Sequence, residues 1–311
     1  MLGVPDSLTQ PQTLLDRLRV DRLDSRIISD RRANVNLKRL VIRVSLAVCL
    51  AAIAAGAAHA QVAPGEFQPQ VGQAGKDVVW VPTPPALVEK MLDMARVTPQ
   101  DYVVDLGSGD GRNIVAAARR GARALGVEFN PEMVELSKRN AAKEGVSDKA
   151  SFVRGDMYEA EFSQATVLAL FLLPDNMMKL QSKFLALKPG ARIVGNTFGF
   201  QDWSPDEQET ITTDCSSWCT ALLWIVPAKV EGTWQSPQGE LTLTQHYQML
   251  TGTLTAGGRS APIAGGRLRG DQISFTVAGA EYSGRVNGDT IEGAVKSEKR
   301  SDAWKATRAP R

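Results

Sequence analysis

The sequence predicts an α/β domain with a doubly wound, mostly parallel sheet, followed by a smaller all-β domain. From residue 80 to residue 226, short apolar strands alternate with amphipathic helices, which is the pattern of a parallel sheet covered on both faces. Past Val230, helical spacing gives way to short alternating runs between glycines. We expect an amino-terminal arm and leader at 1–60, a linker at 61–79, the α/β domain at 80–228 and the β domain at 229–311.

The elements of the α/β domain follow one another at short intervals. A helix begins after Pro84, and the next apolar run is a strand that leads directly into a glycine-rich loop. Two further strands near residue 210 and residue 224 complete a predicted sheet of seven strands. The predicted strands are 102–106, 124–128, 150–154, 167–172, 192–196, 209–214 and 221–226, and the predicted helices are 114–120, 131–143 (capped by Asn130) and 176–187.

The β domain contains a short internal sequence repeat. Residues 266–277 and 284–295 both place a Gly-Asp pair between two alternating runs. Such a pair suits the tight turn of a hairpin, so we expect successive hairpins of a meander or a small barrel. The aromatic residues are interpreted as the core of this domain; they are Trp234, Tyr247, Phe275, Tyr282 and Trp304.

The first 60 residues have the order of a secretory signal peptide. Basic residues precede a 15-residue apolar run at 44–58, which closes on Ala58-His59-Ala60. The run is shorter than the roughly 20 apolar residues that span a bilayer, which favours cleavage, with an uncleaved anchor as the alternative. We therefore expect an exported protein, periplasmic or membrane-anchored. Residues 44–58 or the β domain are the candidates for membrane or envelope association.

Charge and residue counts exclude several functions. After residue 60 the chain has 27 basic and 29 acidic residues, without the basic surface that a nucleic-acid binder needs. Only His246 remains there, too few histidines for a zinc site or a Ser-His-Asp triad, so no metal is expected. Cys215 and Cys219 form either a disulfide or two separate thiols.

The loop after the first predicted strand carries the main functional signal. Residues 105–111 read Asp-Leu-Gly-Ser-Gly-Asp-Gly, and the three glycines allow backbone to approach a ligand closely. A dinucleotide-binding loop is the alternative. That motif has a glycine at the position of Arg112 and no acidic residue at the end of the strand, so this sequence does not match it. The strand, loop and helix therefore indicate a Rossmann-like site for a cofactor without a pyrophosphate.

Acidic residues at successive strand ends match S-adenosylmethionine. Asp105 is placed to accept a hydrogen bond from the methionine ammonium, and Glu128 is placed to accept hydrogen bonds from both ribose hydroxyls. Asp156 follows the third strand and can accept from the adenine amino group, with a helix cap as the alternative role. The predicted cofactor-binding set is Asp105, Gly107, Ser108, Gly109, Asp110, Gly111, Glu128, Phe129, Asn130, Asp156, Met157 and Leu172.

The methyl-acceptor side of the site is less defined. Met157 and Phe129 can sandwich the adenine, and Leu172 with Pro174 can line a channel toward the reactive methyl group. Pro174 and Asn176 are channel candidates, although Asp175 or Asn176 as a simple helix cap is the favoured interpretation.

Residues 81–203 resemble the seven-strand protein-lysine methyltransferases that modify the ATP synthase c-subunit and the adenine nucleotide carrier. The resemblance lies in five blocks: 105–112, 126–131, 162–164, 190–194 and 198–203. It implies S-adenosylmethionine as cofactor, at Asp105, Gly107, Gly109, Glu128 and Asp156, and a protein lysine as methyl acceptor. The leader and the β domain depart from that family's pattern.

Two other functions fit the sequence. The first is transfer of the methyl group to a small molecule. The second is a non-catalytic binding or sensor protein, because an exported chain would meet little S-adenosylmethionine outside the cell. Turnover of methyl groups distinguishes an enzyme from such a binding protein.

Overall fold

The computed structural model describes residues 67–298 and 300–310. The predicted leader and arm at 1–60 lie outside these residues. Within the described part of the chain, no helix has both the length and the apolar character needed to cross a membrane. The helices are α1 (Pro85–Met94), α2 (Arg112–Arg119), α3 (Pro131–Lys143) and α4 (Pro174–Phe184).

Seven strands form one sheet. They are β1 (Tyr102–Leu106), β2 (Arg123–Glu128), β3 (Ala150–Arg154), β4 (Val167–Leu170), β5 (Arg192–Asn196), β6 (Glu207–Thr210) and β7 (Thr220–Ile225). Their order is β3-β2-β1-β4-β5-β7-β6, with β7 antiparallel to both of its neighbours and β1 to β5 parallel. The predicted fold class is therefore confirmed.

Both faces of the sheet are covered, as a parallel sheet requires. One apolar cluster joins α1 and α2 to β1 and β5, with Leu87, Ile114 and Val194 fully buried. The other packs α4 against the opposite face, around Leu168 and Phe184. These two cores fix the edge of the sheet at which the carboxyl ends of β1 to β4 meet.

Element boundaries differ from the sequence prediction after β4. The strand ends at Leu170 rather than at residue 172, because only Val167 to Leu170 pair with β5. Helix α4 begins at Pro174, which suits the first turn of a helix since proline needs no amide hydrogen there. The interpretation of Asp175 or Asn176 as the cap is wrong: Leu173 occupies the N-cap position, without a side-chain hydrogen bond.

The loop that joins β6 to β7 contains a disulfide. Cys215 and Cys219 are bonded, with their Cα atoms 5.8 Å apart, in an irregular loop rather than on a helix. The sequence had left this pairing open.

The carboxyl-terminal strands form a closed antiparallel barrel. The strands are β8 (Gly232–Ser236), β9 (Gly239–His246), β10 (Met249–Ala256), β11 (Arg259–Arg269), β12 (Gln272–Val277), β13 (Ala280–Asn287), β14 (Thr290–Ser297) and β15 (Arg300–Arg308). The two Gly-Asp pairs form the predicted hairpin turns, and Gly270 and Gly288 have φ of +63° and +58°. These positive angles are the reason that each turn carries glycine.

Most of the barrel aromatics fill its core, but Tyr247 does not. Phe275, Tyr282 and Trp304 pack with ring centroids 4.9 to 5.6 Å apart. Tyr247 instead stacks on Trp203 of the α/β domain at 5.5 Å, and its hydroxyl donates to Asp202 (2.7 Å). The expectation that Tyr247 belongs to the barrel core is corrected, because the hairpin that carries it packs against the α/β domain.

Candidate functional site

A cleft opens at the carboxyl ends of β1, β2 and β3. The space inside it, including its open mouth, is about 890 Å³. Its wall includes the ends of β1 and β2, the glycine-rich loop and a segment before α1. Ligands of open α/β sheets bind at this edge, so the cleft is the candidate cofactor site.

Asp105 ends β1 at the bottom of the cleft. Its carboxylate is buried, and its Oδ2 atom accepts a hydrogen bond from Asn113 Nδ2 (3.0 Å). Burial, with the nearby charges of Glu128 and Asp110, raises the pKa of Asp105 to about 8, although the Asn113 hydrogen bond opposes this. A buried carboxylate surrounded by other acids favours a cationic partner.

Asn113 lies beside Asp105 in the first turn of α2 and lines the cleft. Its Nδ2 atom donates to Asp105, while its buried Oδ1 atom has no hydrogen-bond partner among the described residues. A buried acceptor without a donor is unfavourable unless a ligand supplies one. An amino-acid ammonium fits this pair of acceptors. Asn113 could not be identified from the sequence, because only the turn of α2 brings it next to Asp105.

The three glycines of the loop have different roles. Gly107, Gly109 and Gly111 all have positive φ, between +56° and +80°. Gly109 lines the cleft, and a Cβ atom there would come within 2.7 Å of the Trp80 indole nitrogen. Gly111 is not part of the cleft wall; a Cβ atom there would lie 2.6 Å from the Phe152 ring. Gly111 therefore allows close packing of the loop rather than access of the ligand.

Glu128 holds the loop in place. Its Oε2 atom accepts from the Gly109 amide (2.9 Å) and its Oε1 atom from the Asn130 amide (2.8 Å). Each carboxylate oxygen keeps a further lone pair, so Glu128 can also accept from ligand hydroxyls in the cleft. This clamp links the end of β2 to the loop after β1, a contact that the sequence did not indicate.

Asp156 is already paired. Lys76 Nζ donates to its Oδ2 atom (2.6 Å), and the Tyr158 amide donates to Oδ1 (2.9 Å). The hydrogen bond from Lys76 lowers the pKa of Asp156. Lys76 Nζ also lies 5.4 Å from the centre of the exposed Phe129 ring. Asp156, Phe129 and the buried Met157 all line the cleft, so Lys76 covers the place predicted for adenine.

Two further predicted residues, Asp110 and Asn130, have structural contacts, whereas Ser108 has a hydroxyl at the cleft that no described residue binds. Asp110 lines the cleft, but Arg112 pairs with its carboxylate (2.5 Å between Nη2 and Oδ2). Asn130 caps α3, accepting from the Glu132 amide (2.9 Å), as predicted. Ser108 lines the cleft, and its buried hydroxyl has no partner among the described residues.

The predicted channel residues lie apart from the cleft wall. Leu172 is buried, Pro174 starts α4, and the Asn176 amide donates to the Tyr158 hydroxyl (2.7 Å). None of the three lines the cleft, whereas Phe171, which sequence analysis did not single out, does. The early end of β4 turns Phe171 toward the site.

The segment before α1 forms one side of the cleft. Residues 73–79, predicted as linker, line it together with Trp80. Backbone hydrogen bonds join Gly72 to Trp80 (2.8 Å) and Trp80 to Gln73 (2.9 Å), which folds the segment into a tight loop. This part of the predicted linker therefore belongs to the site.

The strand order, the glycine-rich loop and the acids at the ends of β1 and β2 define a Rossmann-like, S-adenosylmethionine-dependent methyltransferase. The ammonium of this cofactor fits the Asn113 oxygen, which lacks a hydrogen-bond donor among the described residues, and the buried carboxyl group of Asp105. The ribose hydroxyls fit the carboxylate of Glu128. The chain belongs to the family described as the ANTKMT methyltransferase domain, which matches residues 105–207.

Two relatives of this chain are described as lysine N-methyltransferases. A protein-lysine N-methyltransferase of Saccharolobus islandicus is 42% identical over 133 residues, covering 42% of this chain and 83% of the relative. The human lysine N-methyltransferase of the ATP synthase c-subunit is 37% identical over 41% of this chain, which spans only 54% of that relative. A solved structure described as an RNA methyltransferase from Salinibacter ruber, in complex with S-adenosyl-L-homocysteine, is 39% identical. The match covers 48% of this chain and 96% of that one, with a TM-score of 0.45.

Proposed function

We propose that this protein methylates lysine side chains of a protein substrate by direct, in-line transfer from S-adenosylmethionine. The observation that carries the proposal is the cleft itself. It combines buried acceptors for a cationic cofactor, Asp105 and Asn113, with an apolar wall at Phe171 where the acceptor would enter. The identity to the protein-lysine N-methyltransferase of Saccharolobus islandicus over most of that protein supports lysine as the acceptor.

The residues of the cleft have separate tasks in this reaction. Bound S-adenosylmethionine supplies a methyl group on a positively charged sulfur, open to attack by an amine. Asp105 and Asn113 hold the ammonium, and Glu128 holds the ribose hydroxyls. The apolar ring of Phe171 would favour the neutral, nucleophilic form of a lysine amine placed beside it. Orientation of the two reactants then supplies most of the catalysis, so no covalent enzyme intermediate is required.

Isotope transfer tests the proposal. The full chain is incubated with methyl-labelled S-adenosylmethionine and separate fractions of envelope protein, total RNA and small molecules. We expect label on lysine residues, identified by mass spectrometry, with Asp105→Asn inactive and the exposed control Asp175→Asn active. Label found only in RNA or small molecules would overturn the proposal. Stoichiometric binding without turnover would favour the sensor function instead.

Removal of Lys76 is expected to tighten cofactor binding. Adenine would compete with the Lys76 ammonium for Asp156 and for the face of Phe129. Because this ion pair is solvent-exposed, its loss in Lys76→Met should raise affinity by only about two- to fivefold in calorimetric titration. Lys138→Met, which removes a comparable exposed pair with Glu135, is the control. Weaker binding by Lys76→Met would instead mean that Lys76 closes over the bound cofactor.

We also propose that the chain is exported. The Cys215–Cys219 disulfide supports this, because disulfides persist mainly in oxidising compartments. Amino-terminal sequencing of the protein from a fractionated host should find a chain that starts at Gln61 outside the cytoplasm. An uncleaved chain confined to the cytoplasm would contradict export.

A further inference from the structure

Three aromatic side chains, Phe171, Phe198 and Trp218, form a cluster next to the cofactor cleft. The rings of Phe171 and Phe198 are stacked, with centroids 6.1 Å apart and planes 18° apart. The Trp218 ring lies 6.3 Å from Phe171 at 58°. Since Phe171 also lines the cleft, this aromatic cluster is continuous with the cofactor site.

Trp218 is exposed and has an unfavourable backbone conformation. Its side chain is 42% exposed, and its backbone has a φ of +53°, which is costly for a bulky residue. It stands between the bonded Cys215 and Cys219, in the loop that joins β6 to β7. A large apolar ring kept exposed in an unfavourable conformation is typical of a functional site, since folding gains little from it.

A buried polar group lies two residues before Phe198. The Asn196 amide nitrogen donates to Thr83 Oγ1 (3.4 Å), and Thr83 belongs to the cleft wall. The Oδ1 atom of Asn196, fully buried, accepts no hydrogen bond from the described residues. This edge of the sheet therefore combines aromatic surface with an acceptor that lacks a donor. Asn196 is fully buried and does not line the cleft, so the surface open to a ligand here is the aromatic one, which suits an apolar stem with a cationic end.

We propose that the aromatic cluster is the entry site for the methyl acceptor and binds a lysine side chain. The inference rests on the proposed function and names the residues that recognise its substrate. On entry, the aliphatic stem packs on Phe171 and Phe198, and the ammonium, or its methylated product, faces the Trp218 ring through a cation–π interaction. For transfer, the amine loses its proton and moves past Phe171 into the cofactor cleft. The disulfide holds Trp218 against Phe171, so reduction of the disulfide weakens acceptor binding.

Fluorine NMR tests the site without turnover. The full chain is labelled with 5-fluorotryptophan and saturated with S-adenosylhomocysteine, and the Trp218 resonance is assigned with Trp218→Phe. The probes are Nα-acetyl-trimethyllysine amide and its neutral counterpart Nα-acetyl-norleucine amide. We expect a saturable shift of Trp218 with the first probe only, while the resonance of the buried Trp234 stays fixed. No saturable shift, or an equal response to norleucine, would overturn the proposal.

Substitutions within the aromatic cluster and its disulfide test whether these residues bind the probe. Phe171→Leu and Phe198→Leu should each weaken probe binding at least fivefold, and Cys215→Ser with Cys219→Ser at least threefold. Met249→Leu, an exposed apolar residue of the barrel, is the control and should change nothing. A chain that methylates lysine but shows no Trp218 response would refute the entry site and leave the proposed function intact. A chain that methylates no lysine would refute the proposed function whatever the NMR result.

Discussion

Asp105→Asn is expected to lower the affinity for S-adenosylmethionine by about 30- to 5,000-fold, and to stabilise the cofactor-free protein above pH 8. The loss of affinity follows from removing the charged partner of a buried ammonium, which costs about 2–5 kcal/mol. The gain in stability follows from burial, since the carboxylate lies in a cleft with two other acids and the described residues place no cation beside it. Asparagine keeps the size and can still accept from Asn113.

The pH dependence of stability has a definite sign. The pKa of Asp105 is about 8 in the folded protein and about 3.9 in an unfolded chain. Between these values the folded state holds one proton more, so the contribution of Asp105 to stability is present below pH 4 and is lost as the pH rises toward 8. Urea unfolding at pH 6 and pH 9 should show this loss in the wild type and not in Asp105→Asn. Equal pH dependence in both proteins would contradict the prediction.

Cofactor binding should have the opposite pH dependence. Below pH 8, Asp105 must lose its proton to accept from the ammonium, so affinity rises with pH until the cofactor's own amino group deprotonates near about pH 8. Calorimetry in buffers of different ionisation enthalpy should detect one proton released per cofactor at pH 7. Asp175→Asn, at an exposed site, should behave as the wild type. Binding without proton release would show that Asp105 is ionised in the free protein.

Gly111→Ala is expected to destabilise the α/β domain by about 2–5 kcal/mol. Two costs add: a left-handed backbone for a residue with a Cβ atom, about 1–2 kcal/mol, and overpacking of the core, about 1–3 kcal/mol. The φ of Gly111 is +80°, and the added Cβ atom would lie 2.6 Å from Phe152 and 2.8 Å from Ser137. Urea unfolding measures the loss.

Gly145→Ala provides the matched control. Gly145 also has a positive φ, +69°, but a Cβ atom there would meet nothing within 4 Å. Its substitution should therefore cost only the backbone part, about 1–2 kcal/mol. If both variants lost the same stability, close packing against Phe152 would not be the reason for glycine at position 111.

Much of the fold could be read from the sequence because its signals are local. Strand and helix periodicity, the glycine-rich loop after β1 and the Gly-Asp turns at Gly270 and Gly288 each depend on neighbouring residues. The acids at the ends of β1 and β2 were found by the same reasoning, since parallel strands bring their carboxyl ends to one edge. The sequence by itself thus determined the fold class, the class of cofactor and the general position of the site.

Only the tertiary structure decided how that site is built. The pairing of Lys76 with Asp156 joins residues 80 positions apart, and the contact of Phe171 with Trp218 joins two separate loops. Such contacts depend on how elements pack, and no local pattern encodes them. The same reason explains why Tyr247 lies outside the barrel core: its surroundings are set by the docking of one domain on another, not by the strands that flank it in the chain.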